Sequence, residues 1–245
     1  MKELAKRIYQ VGLFAEIPAA DARVTQETVR ALGRGDIRGI ILPGQESIPE
    51  IREQFADLLI GVQESQANHA LPNGADFIVG ENAPENIPCF KRAGKSLVCP
   101  QTQKVLADVY AVPTYGNREA VTGAARAAVE EMLGFELRHV GINNPDVQTS
   151  EAVAGRFDHL FHFPKTDKGG AFFAGIFIES MKKPFYGTHG HIAVATNCAD
   201  RAAYYLEQRG AVFNWASAGY EEDGSLRVVY LKDEIGGFAV HILQK

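Results

Sequence analysis

His139-Val140-Gly141-Ile142 and His191-Ile192-Ala193-Val194 begin two copies of one short plan, and that echo decides how the chain is read. In each copy a histidine opens an apolar strand, a helix-forming stretch follows, and further strands close the unit. The first copy ends on Ile176-Phe177-Ile178-Glu179-Ser180-Met181, the second on Phe238-Ala239-Val240-His241-Ile242-Leu243. Side chains two apart on a strand share a face. A duplicated β-α-β-β-β module brings matching faces together across a pseudo-twofold axis, so that side chains of both copies look into one cleft. A ligand is expected there.

Around these anchors the first copy reads as a strand over 137–143, a helix over 150–160 and strands over 171–173 and 176–181, with Pro145 and Pro184 in its loops. The second reads as a strand over 191–195, a helix over 200–209 ended by Gly210, and strands over 226–232 and 237–243. Asn197, three residues before Asp200, suggests a capping box, and Asp223-Gly224 suggests a hairpin turn. Gly169-Gly170, after Lys165-Thr166-Asp167-Lys168, reads as another hairpin turn. No P-loop context surrounds it, and no nucleotide cofactor is expected.

Upstream, short apolar runs alternate with helical stretches, the rhythm of a parallel sheet. Strands are expected over 12–17, 37–42, 57–62, 76–79, 96–99 and 108–112, and helices over 25–32, 49–55, 66–70 and 84–92. An eight-stranded βα barrel takes roughly 200 residues or more. About half of that is present, so an incomplete barrel or an open sheet is expected. Asn117 caps a helix running to Gly134, with Val121, Ala125, Ala128 and Met132 on one stripe. The chain then divides into a βα domain over 1–116, a connector helix over 117–136 and the two-module domain over 137–245, an α/β part followed by an α+β part.

Bulk properties narrow the function. The 245 residues are 46% hydrophobic and 22% charged, ordinary for a globular protein. A net charge of −5 argues against a nucleic-acid or anionic-membrane surface. No apolar run is long enough to span a bilayer, and Met1-Lys2-Glu3-Leu4-Ala5-Lys6-Arg7 lacks a signal-peptide core. Cys89, Cys99 and Cys198 are odd in number and widely spaced, which fits reduced thiols and excludes a thiolate zinc knuckle. A soluble cytoplasmic protein is expected.

Residues 134–245 resemble the C-terminal extension of a group of bacterial 2-keto-3-deoxy-6-phosphogluconate / 4-hydroxy-2-oxoglutarate aldolases, which belongs to the vicinal oxygen chelate (glyoxalase-like) superfamily. The resemblance is carried by Leu133-Gly134-Phe135-Glu136-Leu137-Arg138-His139-Val140-Gly141-Ile142-Asn143, Ile178-Glu179-Ser180-Met181-Lys182, Gly190-His191-Ile192-Ala193-Val194 and the run from Tyr230 to His241. The first half resembles the aldolase itself more loosely, and an incomplete TIM-barrel-like domain is implied. Gly12-Leu13-Phe14-Ala15 is similar to the family's first strand and Gly74-Ala75-Asp76-Phe77-Ile78-Val79 to its fourth. Asp108-Val109-Tyr110-Ala111-Val112-Pro113 is similar to the strand bearing the Schiff-base lysine; Pro113-Thr114-Tyr115-Gly116 resembles instead the next strand's phosphate-binding turn, and both registers stay open.

The aldolase resemblance implies a desolvated lysine nucleophile and a proton-shuttling carboxylate. The lysine position falls on Ala111, the carboxylate on Ile41, and the third strand's Gly-rich stretch is shortened to Ile60-Gly61-Val62-Gln63. Lys95 and Lys104 read as solvated surface charges, and Glu16 is the one acidic residue near a strand end. The vicinal oxygen chelate resemblance implies metal ligands on the first and last strand of each module: His139, Glu179 and His191, with the fourth position on Ala239. His241, two residues on and on the same face, could stand in if the strand shifts. Such a set would suit a divalent metal, zinc or a relative. The structural alternative is a pair of hydrogen-bonded core histidines, with Glu179 paired to Lys182 or Arg138. His189 is expected in an exposed loop, His159 and His162 in partly buried structural roles, and Phe172, Phe173, Phe177, Phe185, Tyr186 and Trp215 in the core or cleft wall.

Three functions compete: an aldolase relative that has lost its lyase chemistry and binds a small oxygen-rich metabolite in its second half; an active lyase on keto-acid or phosphorylated sugar-acid substrates; and a structural module that assembles a homo-oligomer. The first is favoured, and whether the chain is an enzyme stays open.

Overall fold

The computed structural model describes residues 2–64, 70–80, 88–100, 102–111 and 117–245. The chain forms two compact units, Met1–Met132 and Leu133–Lys245. No helix among the described residues is long and apolar enough to cross a membrane.

The first unit runs α1 (Lys2–Val11), β1 (Leu13–Glu16), α2 (Ala22–Arg34), β2 (Gly39–Leu42), α3 (Ile48–Gln54), β3 (Leu59–Gln63), β4 (Phe77–Val79), β5 (Cys89–Ala93), β6 (Ser96–Val98), β7 (Val105–Ala111) and α4 (Arg118–Leu133). Among the described residues, seven strands close into a barrel. Pairing is parallel from β7 through β1 to β5, and β6 runs antiparallel between β5 and β7. Of the two expectations, an open sheet is set aside: the sheet is closed, with seven strands rather than eight among the described residues. Closure comes from a hairpin at Gly94, whose φ of 58° suits glycine, which turns β5 back into β6. That hairpin also corrects the helix expected over 84–92: residues 89–92 are strand, while 84–87 lie outside the described residues. So do 66–69 of another expected helix, Val112, and the turn Pro113-Thr114-Tyr115-Gly116. The helix α1 was not anticipated; it buries Ile8 and Val11.

Aromatic rings fill the barrel. Phe14 and Phe77 meet edge to face at 5.5 Å, and Phe77 and Phe90 at 5.4 Å. Because β1 and β4 are not neighbours, these rings meet through the lumen. Glycines make the room: a methyl on Gly39 would lie 2.4 Å from the Phe14 ring, and one on Gly61 2.5 Å from that of Phe77. Each edge-to-face pair contributes about 0.5–1.5 kcal/mol beyond area burial. Asn117 caps α4 as expected, its Oδ1 accepting from Glu119 N at 2.9 Å. The helix expected as a connector packs on α2 of the first unit, and its last residue, Leu133, begins the second. Val121, Ala125 and Val129 are buried, and Thr122 Oγ1 donates to Ala31 O on α2 at 3.0 Å.

The second unit contains β8 (Glu136–Ile142), α5 (Val147–Phe161), β9 (Lys165–Asp167), β10 (Ala171–Ala174), β11 (Ile178–Met181), then β12 (Gly190–Thr196), α6 (Ala199–Gln208), β13 (Phe213–Tyr220), β14 (Leu226–Leu231) and β15 (Phe238–Gln244). These are the two expected β-α-β-β-β modules, joined in one eight-stranded sheet of order β13-β14-β15-β12-β8-β11-β10-β9. Reading outward from the central antiparallel pair β8–β12, each module places its first strand, then its fourth, third and second. The pseudo-twofold is therefore real in the topology.

Asp146 caps α5, Oδ1 accepting from Thr149 N at 2.7 Å. The capping box expected at α6 is corrected. Its N-cap is Cys198, whose side chain does not cap the helix, and Asp200 accepts from Leu226 N at 3.1 Å. Ser150 Oγ donates to Ser180 O at 2.7 Å, and Ser180 Oγ to Ser150 O at 2.9 Å, locking α5 onto β11. The buried Asn144 joins this lock: its Nδ2 donates to Ser180 Oγ, Ile142 O and Met181 O at 2.9–3.1 Å. Ser180 faces α5, so its neighbour Glu179 faces the other side of the sheet. That side carries the site.

Candidate metal centre

Strand register builds the site row by row. Glu179 on β11 lies opposite Gly141 on β8, which lies opposite His191 on β12, which lies opposite Ala239 on β15. One row along, His139 lies opposite Ala193, Ala193 opposite His241, His241 opposite Tyr230, and Tyr230 opposite Asn214. Opposed residues share a face. Large polar side chains thus alternate with Gly141, Ala193 and Ala239, and the small residues give the rings their space. A methyl on Gly141 would lie 2.1 Å from His191 Cε1. The His191 ring therefore sits directly over the Gly141 backbone.

Three donor atoms converge. Glu179 Oε2 lies 3.0 Å from His139 Nε2 and 3.1 Å from His191 Nε2, and the two Nε2 atoms are 3.2 Å apart. The alternative of a Glu179 pair with Lys182 or Arg138 is not what forms; Lys182 pairs with Asp167 instead. The exposure of these side chains is low: 12% for His139, 20% for Glu179 and 3% for His191. Hydrogen bonding alone serves this triangle poorly. If both imidazoles carry Nε2–H toward the carboxylate, the two N–H groups crowd each other; if only one does, the other presents a lone pair to the carboxylate oxygen. A cation in place of the protons relieves both conflicts. Tetrahedral ligands about 2.1 Å from an ion stand about 3.4 Å apart, and the donor separations fall a few tenths of an ångström short of that. The set fits a divalent metal. One feature runs against it: His191 Nδ1 is buried without a partner among the described residues, whereas metal-bound histidines ordinarily donate their second N–H.

His241 occupies a slot that the sequence placed elsewhere. Glu179 stands opposite the residue two past His139, and His241 opposite the residue two past His191. With the two histidines as symmetry mates, His241 is the mate of Glu179, and no strand shift is needed. Ala239 is one row away. The His241 ring stacks on that of His191 at 5.3 Å and lies 5.7 Å from that of His139. Among the described residues neither of its buried nitrogens has a partner, and it stands outside the converged triangle.

Electrostatics follow the burial. Burial pushes the Glu179 carboxyl up, but hydrogen bonds from His139 and His191, with their charges, outweigh it and hold it down to about 2. His241 is pushed down to about 3, first by burial and then by His191 and His139. Burial, followed by the Glu179 charge and Tyr186, pushes the Tyr230 phenol above its ordinary range. Tyr230 packs edge-on to His241 at 4.5 Å and against Tyr186 at 4.7 Å. Beside them opens a cavity of about 200 Å³ lined by Tyr186, Gly187, Asn214, Tyr230, Lys232 and Ala239, among others. Its rim is the segment joining the modules. Asn143 Nδ2 donates to Gly187 O at 2.8 Å, Phe185 N donates to Asn143 Oδ1 at 3.0 Å, and Thr188 bonds Glu234 through N and Oγ1.

Other expectations fare variously. His189 is exposed, as anticipated, but so are His159 and His162, the latter because it ends α5 in the left-handed conformation at φ 54°. Trp215 is 48% exposed rather than packed, and Phe177 and Phe185 are about as open, whereas Tyr186 lines the cavity. Lys104 lies over the Tyr9 ring. Tyr230 and Gly141 lie in the quoted motifs, but their roles at the site were not read from them; the alternation of strand 226–232, set against that of 237–243, is the signal that could have found Tyr230.

No protein-family model matches the chain, and neither does any curated relative. Among solved structures, a Streptomyces coelicolor methylmalonyl-CoA epimerase variant in complex with 2-nitronate-propionyl-CoA is 14% identical, over 45% of this chain and 94% of that one, with a TM-score of 0.32. A methylmalonyl-CoA epimerase in complex with methylmalonyl-CoA and ammonium is likewise 14% identical, over 44% of this chain and 93% of that one, with a TM-score of 0.32. Likenesses this distant add nothing to what the side chains themselves display.

Proposed function

We propose that residues 133–245 form a vicinal oxygen chelate module that holds a divalent metal on His139, Glu179 and His191 and receives a small oxygen-bearing metabolite beside it. The convergence of three donor atoms within 3.2 Å of one another carries this reading. His241 stands ready as a fourth ligand. It keeps a neutral imidazole, the form that binds metals, and its buried nitrogens have no other partner among the described residues. When bound, such an ion supplies Lewis acidity toward adjacent substrate oxygens.

The remaining roles belong to the chain. Glu179 stays ionised across the physiological range and brings the negative charge that offsets a dication. Tyr230 stays a neutral phenol, able to donate a hydrogen bond to an oxygen in the cavity, and Lys232 offers a cation at the same wall. The Tyr186 and Tyr230 rings exclude water from the flank. In the first unit, Ile41 and Ala111 occupy the positions where the aldolase resemblance implies a carboxylate and a lysine. Loss of lyase chemistry is part of the proposal.

Isothermal titration of the metal-stripped chain with zinc tests it. About one ion per chain should bind, and His191→Ala and Glu179→Gln should each weaken binding by at least about tenfold. A wild-type chain that takes up no zinc, cobalt or manganese, or variants that bind as well as wild type, would refute the proposal.

A further inference from the structure

The hairpin joining β9 to β10 carries a cation that the metal centre does not explain. Three lysines surround it. Lys165 Nζ and Lys182 Nζ lie over the Phe172 ring, 5.7 and 4.3 Å from its centroid, and Phe172 stands opposite Ser180, on the α5 side of the sheet. Each of these two has a carboxylate: Glu151 for Lys165 at 2.7 Å and Asp167 for Lys182 at 2.6 Å. Lys168 differs on both counts. Its Nζ lies 4.4 Å from the centroid of Phe173, which stands opposite Glu179 and meets the His139 ring edge to face at 6.0 Å. It has no carboxylate partner among the described residues. The one lysine of the three on the site face is the one whose charge is left over.

The backbone holds Lys168 in place. Lys168 N donates to Ala171 O, Gly169 N to Asp167 Oδ1 and Lys182 N to Gly170 O, each at 3.0 Å. Thr166, opposite Phe173 on β9, adds an exposed hydroxyl to the same face. The row leading away from the metal centre therefore reads Glu179, Phe173, Thr166, with the Lys168 ammonium over the middle ring. Adjacent strands lie about 4.8 Å apart, so the cation stands one to two strand spacings, about 5–10 Å, from Glu179. The opposite flank is different: the cavity beside Tyr230 is lined by Lys232 together with Asp233 and Glu234, and carboxylates outnumber its lysine.

We infer that Lys168, with Thr166 beside it, binds the remote anionic group of an elongated ligand, so that the module selects molecules carrying a carboxylate about 5–10 Å from the end held at the histidines. The inference rests on the reading of this sheet face as the ligand side, and not on the ion that the histidines hold. An ammonium over an aromatic face is attracted by the ring, yet its outer hydrogens stay free to donate. One ammonium and one hydroxyl match the single charge of a carboxylate. The Phe173 ring supplies an apolar floor for the carbon chain between the two ends.

Isothermal titration of the full chain with two probes tests the inference. One is the monohydroxamate of succinic acid; the other is the same molecule with its carboxylate replaced by an amide, so that only the charge of the tail differs. Wild type should prefer the carboxylate by about tenfold, the worth of one charge-assisted hydrogen bond. Lys168→Gln should erase the preference and Lys168→Glu should invert it, whereas Lys168→Arg should keep most of it. Zinc affinity in Lys168→Gln should stay within about threefold of wild type, because an exposed charge at this distance is largely screened. The probes are titrated with zinc and without it. A chain that takes up no metal sinks the metal reading, while a carboxylate preference lost in Lys168→Gln still supports this one. No binding or no preference in wild type under either condition, or a preference undiminished in Lys168→Gln, would overturn the inference.

Discussion

Replacing Gly141 by alanine tests the construction of the metal centre at its tightest point. The added methyl would stand 2.1 Å from His191 Cε1, 2.3 Å from Nδ1 and 2.5 Å from Nε2, where ordinary contact begins at 3.4 Å. The ring must therefore retreat by about 1.3 Å or more at its nearest atom, because Gly141 is held between paired strands on both sides. Retreat presses the ring toward His241, stacked 5.3 Å away, and withdraws Nε2 from Glu179. Overpacking of this kind costs about 1–3 kcal/mol. At about 4 °C per kcal/mol for a unit of this size, calorimetry should show the second unit melting about 4–12 °C lower. Zinc affinity should fall by about 10–100-fold, as when a ligand's orientation is disturbed. The matched control is Gly155→Ala in α5, where nothing lies within 4 Å of the new methyl; it should gain about 0.5–1 kcal/mol. If Gly141→Ala melts and binds zinc like wild type, the packing argument fails.

Two further outcomes follow from buried polar groups. The folded-state pKa of His241, near 3, lies below its ordinary 6.5, so between these values the unfolded chain takes up a proton that the folded chain refuses. Its contribution is fully present above pH 6.5 and is lost as pH falls toward 3, with a slope of up to about 1.4 kcal/mol per pH unit. Urea midpoints of the metal-free chain should therefore fall more steeply from pH 6.5 to 4.5 in wild type than in His241→Leu, and equal slopes would contradict the assignment. Asn144→Ala removes the donor shared by Ser180 Oγ and two carbonyls. It should cost about 2–3 kcal/mol in urea denaturation, and a loss below about 0.5 kcal/mol would mean the lock on α5 lies elsewhere.

The modules were legible because each begins on a histidine strand and ends on an apolar one, and a repeat doubles every such signal. The pairing of His139 with His191 was legible for the same reason. The slot of His241 was not: a one-row difference between Ala239 and His241 is a matter of register, which side-chain pattern alone leaves undetermined when both residues share a face. The barrel was harder. Cys89-Phe90-Lys91-Arg92-Ala93 carries residues acceptable to a helix, and only its pairing with β4 and β6 makes it a strand. The hydrogen bonds of Glu16 with Gln63 and Arg92 join residues up to 76 positions apart, so no local spacing could announce them.

Equivalent slots with unlike occupants have a consequence for whatever docks there. Topology makes the two halves of the hollow interchangeable, yet Glu179 puts an anion on one side of the axis and His241 an uncharged ring on the other. The tyrosine-walled recess opens on the His241 side, where β14 runs. A guest turned end for end would meet a carboxylate in place of an imidazole and the Phe173 ring in place of the Tyr230 phenol. The cradle is thus polarised by chemistry rather than by shape, and a molecule with two different ends can sit in it only one way round.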